Sequence, residues 1–371
     1  MVYDDPSYKN EGHYLLTGLT LNHEICDAWT VQGKASFTES GREWIAGSGG
    51  TEYLGHGSYI ELINTLRPFE SFTIIAGAEY EEQAMERKEN RQRVQDKSSG
   101  EFSGYAKGLL SFLDKKLNLS AGGRFNKHED FSSHSTWELG LSYNFDTATR
   151  IFGRAATGYR TPSLYQRFGG GMYYVGNASL KPETSTSLEA GVEQSFWNDK
   201  AILSATVFTT DYDDKLTAVL ADENRWRYAY ENSDKAKVRG FELSVKLQPC
   251  DMLSLDVAYT HSSSKQKAEG GEWMHGSQMP DDKVAATLAL YPVDDLTLSL
   301  TTRWEDKRML KYGSGFVEEE GFVTMDIAAA YDISERVRIY ARVNNLLDKD
   351  YTVYGWEMPG INAMAGVRFT F

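Results

Sequence analysis

Between Thr161 and Thr184 the chain gathers Tyr165, Arg167, Phe168, Tyr173 and Tyr174 around three glycines, Gly169 to Gly171. The next long polar segment adds Arg225, Trp226, Arg227, Tyr228 and Tyr230. Aromatic rings on a glycine-flexible segment can close over the apolar face of a ligand. Guanidinium groups stack on rings and give paired donors to anionic oxygens. The combination suits anionic or catecholate-type chelates. The candidate ligand contacts are therefore Tyr165, Arg167, Phe168, Tyr173, Tyr174, Arg225, Trp226 and Tyr228. The competing reading is that these side chains pack their own loops or mark a membrane interface.

Other chemistry is thinly supported. The histidines at 13, 23, 56, 128, 134, 261 and 275 are scattered, with no pair at helical metal-binding spacing, so no metal site and no cofactor are expected. His261 with Ser262, Ser263 and Ser264, and Asp213 with Asp214, are not tied by any spacing into a triad, so no catalytic residues and no enzyme activity are expected. Cys26 and Cys250 fall at tight turns far apart in strand order. A bridge needs Cα atoms within roughly 7 Å, so two unpaired thiols are expected. A net charge of -14 argues against nucleic acid as a partner, because phosphate binding needs a basic surface.

The elements that must carry these residues show at the carboxy terminus. Ile361, Ala363, Ala365, Val367, Phe369 and Phe371 alternate with Asn362, Met364, Gly366, Arg368 and Thr370, a period-2 strand ending on an aromatic residue. Leu296, Leu298 and Leu300 oppose Thr297, Ser299 and Thr301 in the same way, and Phe241, Leu243, Val245 and Leu247 oppose Glu242, Ser244 and Lys246. About 17 such strands of roughly 10 residues are expected, which is the length a tilted membrane strand needs. Their connections alternate. Short turns fall near Cys26, Pro68, Asp114, Asp146, Asn198, Cys250, Asp294 and Glu335, and long connections follow Thr38, Gln83, Lys127, Arg160, Asp211, Ser262, Trp304 and Leu347. No apolar stretch is long enough for a membrane helix. The pattern predicts an all-β, transmembrane antiparallel β-barrel in the outer membrane, over residues 1–371, with lipid on one face of each strand and water on the other. The mean hydropathy of -0.48 is compatible, since only alternate residues meet lipid.

Charges on the strands must then face the water-filled side, because an Arg or Lys at mid-bilayer costs about 2–4 kcal/mol. Glu242, Lys246, Asp256, Asp326, Arg338, Arg342 and Arg368 are placed there, either holding another domain inside the barrel or lining a wet lumen. The mixed-charge stretch from Glu81 to Lys97 reads as a solvated loop.

Three segments resemble the TonB-dependent outer-membrane receptors. Asn177 with Leu180-Lys181-Pro182-Glu183 resembles the family's N-x-x-L-x-P-E element. Tyr230-x-Asn232, followed by Val238-Arg239-Gly240-Phe241-Glu242, resembles its Y-x-N…G-x-E strand start. Val343-Asn344-Asn345-Leu346-Leu347-Asp348, then Pro359-Gly360 and Phe371, resembles its carboxy-terminal signature. The physical reading of all three is strand punctuation: Pro182 suits a strand start and Gly240 a close approach.

The resemblance implies a barrel of 22 strands with an amino-terminal plug. About 17 strands here would leave five absent, together with the plug and the segment that binds TonB. An odd number absent fits the turn lengths, and no export signal is visible. It implies energised uptake of a ferric siderophore or cobalamin, a bulky metal chelate. The implied partners are the TonB complex through the missing amino-terminal segment and outer-membrane lipid, and the implied state is a monomer. The region also resembles the boxes flanking the haem-ligating histidine of haem receptors, at Tyr159-Arg160-Thr161-Pro162 and Asn177-Ala178-Ser179-Leu180, but no His lies between them, which disfavours haem. The rival reading is a passive porin-type channel, which needs neither plug nor these motifs.

Overall fold

In the computed structural model, the described residues are 8–46, 49–170, 174–222, 227–267, 271–276, 279–312 and 315–370. Strands β1 (Tyr8–Cys26), β2 (Trp29–Ala46), β3 (Gly49–Phe69), β4 (Phe72–Glu89) and β5 (Gln92–Phe112) are followed by β6 (Leu117–His128), β7 (His134–Asn144) and β8 (Thr149–Arg160). The short helix α1 (Leu164–Phe168) precedes β9 (Glu183–Phe196), β10 (Ala201–Asp222), β11 (Arg227–Cys250) and β12 (Leu253–Lys267). Then come β13 (Met274–His275), β14 (Asp282–Val293), β15 (Leu296–Glu305), β16 (Arg308–Tyr312), β17 (Gly315–Glu319) and β18 (Phe322–Ser334). The chain finishes with β19 (Val337–Asn344), β20 (Thr352–Val353), β21 (Trp356–Glu357) and β22 (Asn362–Phe369). No helix among the described residues is long and apolar enough to cross a membrane.

Eighteen strands share one sheet, and β16–β17 and β20–β21 are separate two-stranded hairpins. The pairing follows sequence order, antiparallel throughout the registers from β1–β2 to β5–β6 and from β11–β12 to β19–β22. Removing the two-residue β13 from the 18 leaves 17 strands, the number that the alternation predicts.

Strand length departs from the expectation. β3 runs 21 residues, β10 runs 22 and β11 runs 24. The ladder continues past the apolar alternation because polar residues can alternate too, and an antiparallel hairpin satisfies their backbone groups as well as a loop in water does. The stretch Glu81–Lys97 is thus no loop. It lies in β4 and β5, with Asn90 and Arg91 at positive φ of 49° and 66° making the reversal. Its charges pair across strands, Lys88 with Glu52 at 3.2 Å and Arg93 with Glu86 at 2.5 Å, and Lys88 also meets Glu86 of its own strand at 3.3 Å. The short turns lie within a few residues of the expected places, for instance at Asp251–Met252 after Cys250.

The residues fall into two compact units, one of Met1–Leu141, Ala155–Thr186 and Tyr212–Asp234, the other of Ser142–Arg154, Ser187–Asp211 and Lys235–Phe371. In the first, Glu61 is 8% exposed while its neighbours Ile60 and Leu62 are 60% and 52% exposed. Its polar face carries a row in register across β2 to β6, namely Lys34, Glu61, Glu79, Ser103 and Asn126. In the second unit Asp326 is 9% exposed and Ile327 is 43% exposed. There the apolar row Leu290, Leu298, Ala329, Ala341 and Ala365 runs across β14, β15, β18, β19 and β22. Leu296, Leu298 and Leu300 lie on this apolar face, and Thr301 and Asp326 on the other. The inversion of burial, with carboxylates sheltered and leucines open, is what a membrane face requires.

Gly240 permits a close approach. A Cβ there would lie 2.1 Å from the His261 carbonyl oxygen and 2.7 Å from the Phe208 ring. Cys26 and Cys250 are both free and exposed.

Candidate functional site

The segment after β8 is held by its own short-range chemistry before any long-range contact forms. Ser163 caps α1: its Oγ accepts the Gln166 N–H at 3.2 Å, and Gln166 Oε1 accepts the Ser163 N–H at 2.9 Å. Leu164 is buried beneath the helix, and the Gly169 N–H closes the end on the Tyr165 carbonyl at 2.8 Å. This leaves Tyr165 and Tyr174 stacked, with ring centroids 4.6 Å apart and planes at 13°. Tyr53 on β3 meets Tyr165 edge-on at 5.5 Å, Trp44 on β2 meets Tyr53 at 5.9 Å, and Tyr230 on β11 meets Tyr174 at 5.9 Å. Five rings therefore form one continuous cluster at the long-connection ends of β2, β3 and β11.

Polar contacts lock it. The Tyr174 hydroxyl donates to the Gln166 carbonyl at 3.1 Å, and the Val175 N–H donates to the Tyr228 carbonyl at 2.8 Å, beside a parallel bridge between Tyr174 and Tyr228. The Tyr53 hydroxyl bonds the Gly170 carbonyl and accepts the Gly170 N–H at 3.1 Å. Burial pushes the Tyr165 and Tyr174 phenols above their ordinary range, so both stay neutral donors at physiological pH.

The other flank of α1 is cationic. Arg167, with 10% of its side chain exposed, bonds Asp130 at 2.5 Å and lies over Phe131 at 4.8 Å and Phe168 at 4.6 Å. Lys97 sits over Phe168 at 5.1 Å. The Arg167 bond, reinforced by Ser99 at 2.8 Å, holds the Asp130 carboxyl below its usual range. Thus the fold brings Tyr165, Tyr174 and Tyr228 together, and sets Arg167 and Phe168 beside them as a tether to the β6–β7 connection. Tyr173, Arg225 and Trp226 lie outside the described residues. Trp44, Tyr53, Asp130 and Phe131 complete the cluster without any local signal. Their spacing in sequence says nothing, and only the β2–β3 and β5–β6 registers deliver them.

The motif residues bind one another. Asn177 Nδ2 donates to the Tyr230 carbonyl at 2.9 Å. Asn232 accepts the Lys181 N–H at 2.9 Å and donates to the carbonyls of Lys181 at 2.9 Å and Asp214 at 2.7 Å. Glu183 accepts the Leu216 N–H at 2.9 Å and pairs with Arg160 at 2.9 Å. Asn345 donates to the carbonyls of Lys349 at 2.9 Å and Pro359 at 3.3 Å, while its N–H bonds Asp326 at 3.0 Å. These residues fasten loops to strand ends.

On the polar face, Asp326 pairs with Arg342 at 2.7 Å and Arg338 grips Asp332 with two bonds of 2.6 Å. Glu242, Lys246 and Arg368 are exposed there. A larger network in the first unit was not singled out by spacing. Lys34 meets Glu61 at 3.2 Å, the Tyr105 hydroxyl donates to Glu61 at 2.6 Å, the Tyr59 hydroxyl donates to Glu79 at 3.2 Å, and Arg124 also pairs with Glu79. Two carboxylates directly opposite each other would repel. The surrounding cations and phenols are what make the Glu61–Glu79 pairing tolerable.

Known proteins resolve what this architecture is. Residues 2–346 match the family described as TonB dependent receptor-like, beta-barrel. The chain belongs to that family of outer-membrane β-barrel receptors. It is 28% identical over 281 residues to the iron-regulated outer membrane virulence protein of Vibrio cholerae, an alignment covering 70% of this chain and 43% of the relative. The chain therefore spans less than half the length of that curated relative. The copper transporter OprC superposes with a TM-score of 0.82 at 14% identity, covering 98% of this chain and 66% of that one. The ferric enterobactin receptor of Pseudomonas aeruginosa does so with 0.76 at 18% identity, over 98% and 62%. At such identities these two likenesses speak to the fold.

Proposed function

We propose that this chain is the barrel portion of a receptor that takes up a ferric siderophore, with the aromatic cluster around Tyr165 and Tyr174 forming part of the chelate site. The observation that carries the reading is that cluster itself: five rings from four separate segments, ending the strands on the side of the long connections. Neutral phenols and flat rings offer stacking surfaces and donors to a catechol-type chelate without competing for its iron. The iron-regulated name of the Vibrio cholerae relative favours iron over cobalamin. Arg225, Trp226 and Tyr173 are assigned to the same site by their sequence neighbourhood. The TonB complex supplies the energy through a segment outside this chain, and the receptor works as a monomer in outer-membrane lipid.

The test is binding of the whole receptor to a panel of ferric catecholates, ferric hydroxamates, haem and cobalamin. A ferric catecholate should bind, and Tyr165→Ala with Tyr174→Ala should weaken it at least tenfold, about 1.4 kcal/mol. Binding of cobalamin alone, or an unaltered affinity in the double variant, would overturn the assignment.

A further inference from the structure

At the long-connection end of β15 and β18 the ladder breaks and then resumes. Glu305 faces Phe322 in the last pair of the main sheet, and Arg308 faces Glu319 in the first pair of β16–β17. Between them lie Asp306–Lys307 on one side and Glu320–Gly321 on the other, outside any strand. The chain bends sharply there. A Cβ on Gly321 would lie 2.6 Å from the Glu305 carbonyl oxygen and 3.0 Å from the Lys307 nitrogen, an approach that only glycine admits. The hairpin shares no ladder with the main sheet. A ribbon interrupted on both strands at one level has a hinge, because the two short gaps can absorb φ/ψ changes while the hairpin beyond them stays paired.

Beyond the hinge, a nearly buried ion pair ties this hairpin to the other one. Arg308, 3% exposed, pairs with Glu305 at 2.6 Å and with Glu319 at 3.3 Å, and its guanidinium lies 5.2 Å from the Tyr354 ring. Glu319, with 5% of its side chain exposed, reaches the turn of β20–β21. Its Oε2 accepts the Tyr354 N–H at 3.1 Å and its Oε1 accepts the Gly355 N–H at 2.8 Å. Tyr354 and Gly355 have φ of 57° and 79°, a turn conformation that turns successive N–H groups toward one anion. Burial alone would push the Glu319 carboxyl up. The Gly355 N–H, the Thr352 side chain, the Tyr354 N–H and Arg308 outweigh it and hold the carboxyl below its ordinary range. The contact is therefore charged at neutral pH, and charge-assisted bonds are the strong ones. Lys307 also pairs with Glu318 at 2.7 Å, but both are exposed, where such a pair contributes little.

We propose that β16–β17 is a hinged flap, turning as a rigid hairpin about Asp306–Lys307 and Glu320–Gly321, and that Glu319 on the Tyr354–Gly355 turn is the latch that holds it shut. Opening breaks the two N–H bonds of the latch and loosens Arg308 from Glu305, but it breaks no rung of either hairpin. Arg308 is a positioning residue: its fork holds the Glu319 carboxylate against the turn. None of these residues belongs to the aromatic cluster, so the flap is independent of the chelate assignment.

The test combines hydrogen exchange and spin-label distances on the whole receptor. Glu319→Gln sets an amide donor against the donors that surround the carboxylate. It should speed exchange of the Tyr354 and Gly355 amides at least about tenfold, while the paired amides of β16, β17, β15 and β18 keep their wild-type protection. Labels at Val317→Cys and Glu357→Cys, in a Cys26→Ser/Cys250→Ser background, should report one narrow distance with the latch intact and a longer, broader distribution in E319Q. Lys307→Gln, which removes only the exposed pair, should change neither readout. Should E319Q fail to fold, Arg308→Lys, which keeps the charge but loses the fork, gives the same two readouts. Loss of protection throughout β16–β17 would mean that the hairpin melts instead of turning. An unchanged label distance in the folded variant would mean that Glu319 holds nothing shut. Either result overturns the proposal.

Discussion

At Asp130 and Arg167 a single buried-edge pair decides whether α1 stays against the β6–β7 connection. Each side chain has a second job, Asp130 accepting from Ser99 and Arg167 stacking on two phenyl rings. A double-mutant cycle on Arg167→Ala and Asp130→Ala should give a coupling of about 1 kcal/mol, more than most exposed pairs because the guanidinium is nearly buried. The carboxyl is held below its ordinary value of 3.8, so this contribution is complete above that pH and disappears as pH falls through the depressed value. Proteolysis of the 161–184 segment should therefore be unaffected between neutral pH and 5, and rise only in stronger acid. Cleavage that accelerates near pH 6 would point to another group. Asn345 shows the complementary case of a buried side chain bonded to three backbone groups. Asn345→Ala leaves those groups without partners and should cost about 1–3 kcal/mol of stability, read as a lowered melting temperature.

Among the elements, the strands carry the membrane assignment, and their faces can be tested three residues apart. Leu298 lies on the apolar row and Thr301 opposite Asp326 on the polar face. Leu298→Arg should destabilise the barrel by about 2–4 kcal/mol in bilayers, whereas Thr301→Arg should cost little. Equal penalties would mean that the two faces are not lipid and water. Gly240→Val should perturb the β11–β12 pairing, because a Cβ would collide with the His261 carbonyl, and should lower the folded yield. Strand existence was legible because burial of one face imposes a period of two, and the expected number of about 17 matches the long strands of the sheet. Strand ends were not legible. Past the lipid band no burial constrains the pattern, so Glu81–Lys97 reads as loop while its cross-strand ion pairs make it β-hairpin.

For the whole molecule, the motifs named the family and the registers built the site. The resemblance segments turned out to tie loops to strand ends, through Asn177, Asn232 and Asn345, as expected of punctuation. The aromatic cluster was half legible: Tyr165, Tyr174 and Tyr230 were visible as local concentrations, but Trp44 and Tyr53 enter from strands more than a hundred residues earlier (165 minus 53 is 112). No spacing rule spans that distance, because the contact depends on how the hairpins extend. Energised uptake is the activity we propose from family, cluster and iron-regulated relative together. The direct test is accumulation of a ferric catecholate by cells whose only receptor is the whole protein, with and without a functional TonB complex. Uptake should require both TonB and the intact Tyr165–Tyr174 pair. Uptake that persists without TonB, accompanied by constitutive ion conductance of the purified receptor, would describe an open pore and contradict the account.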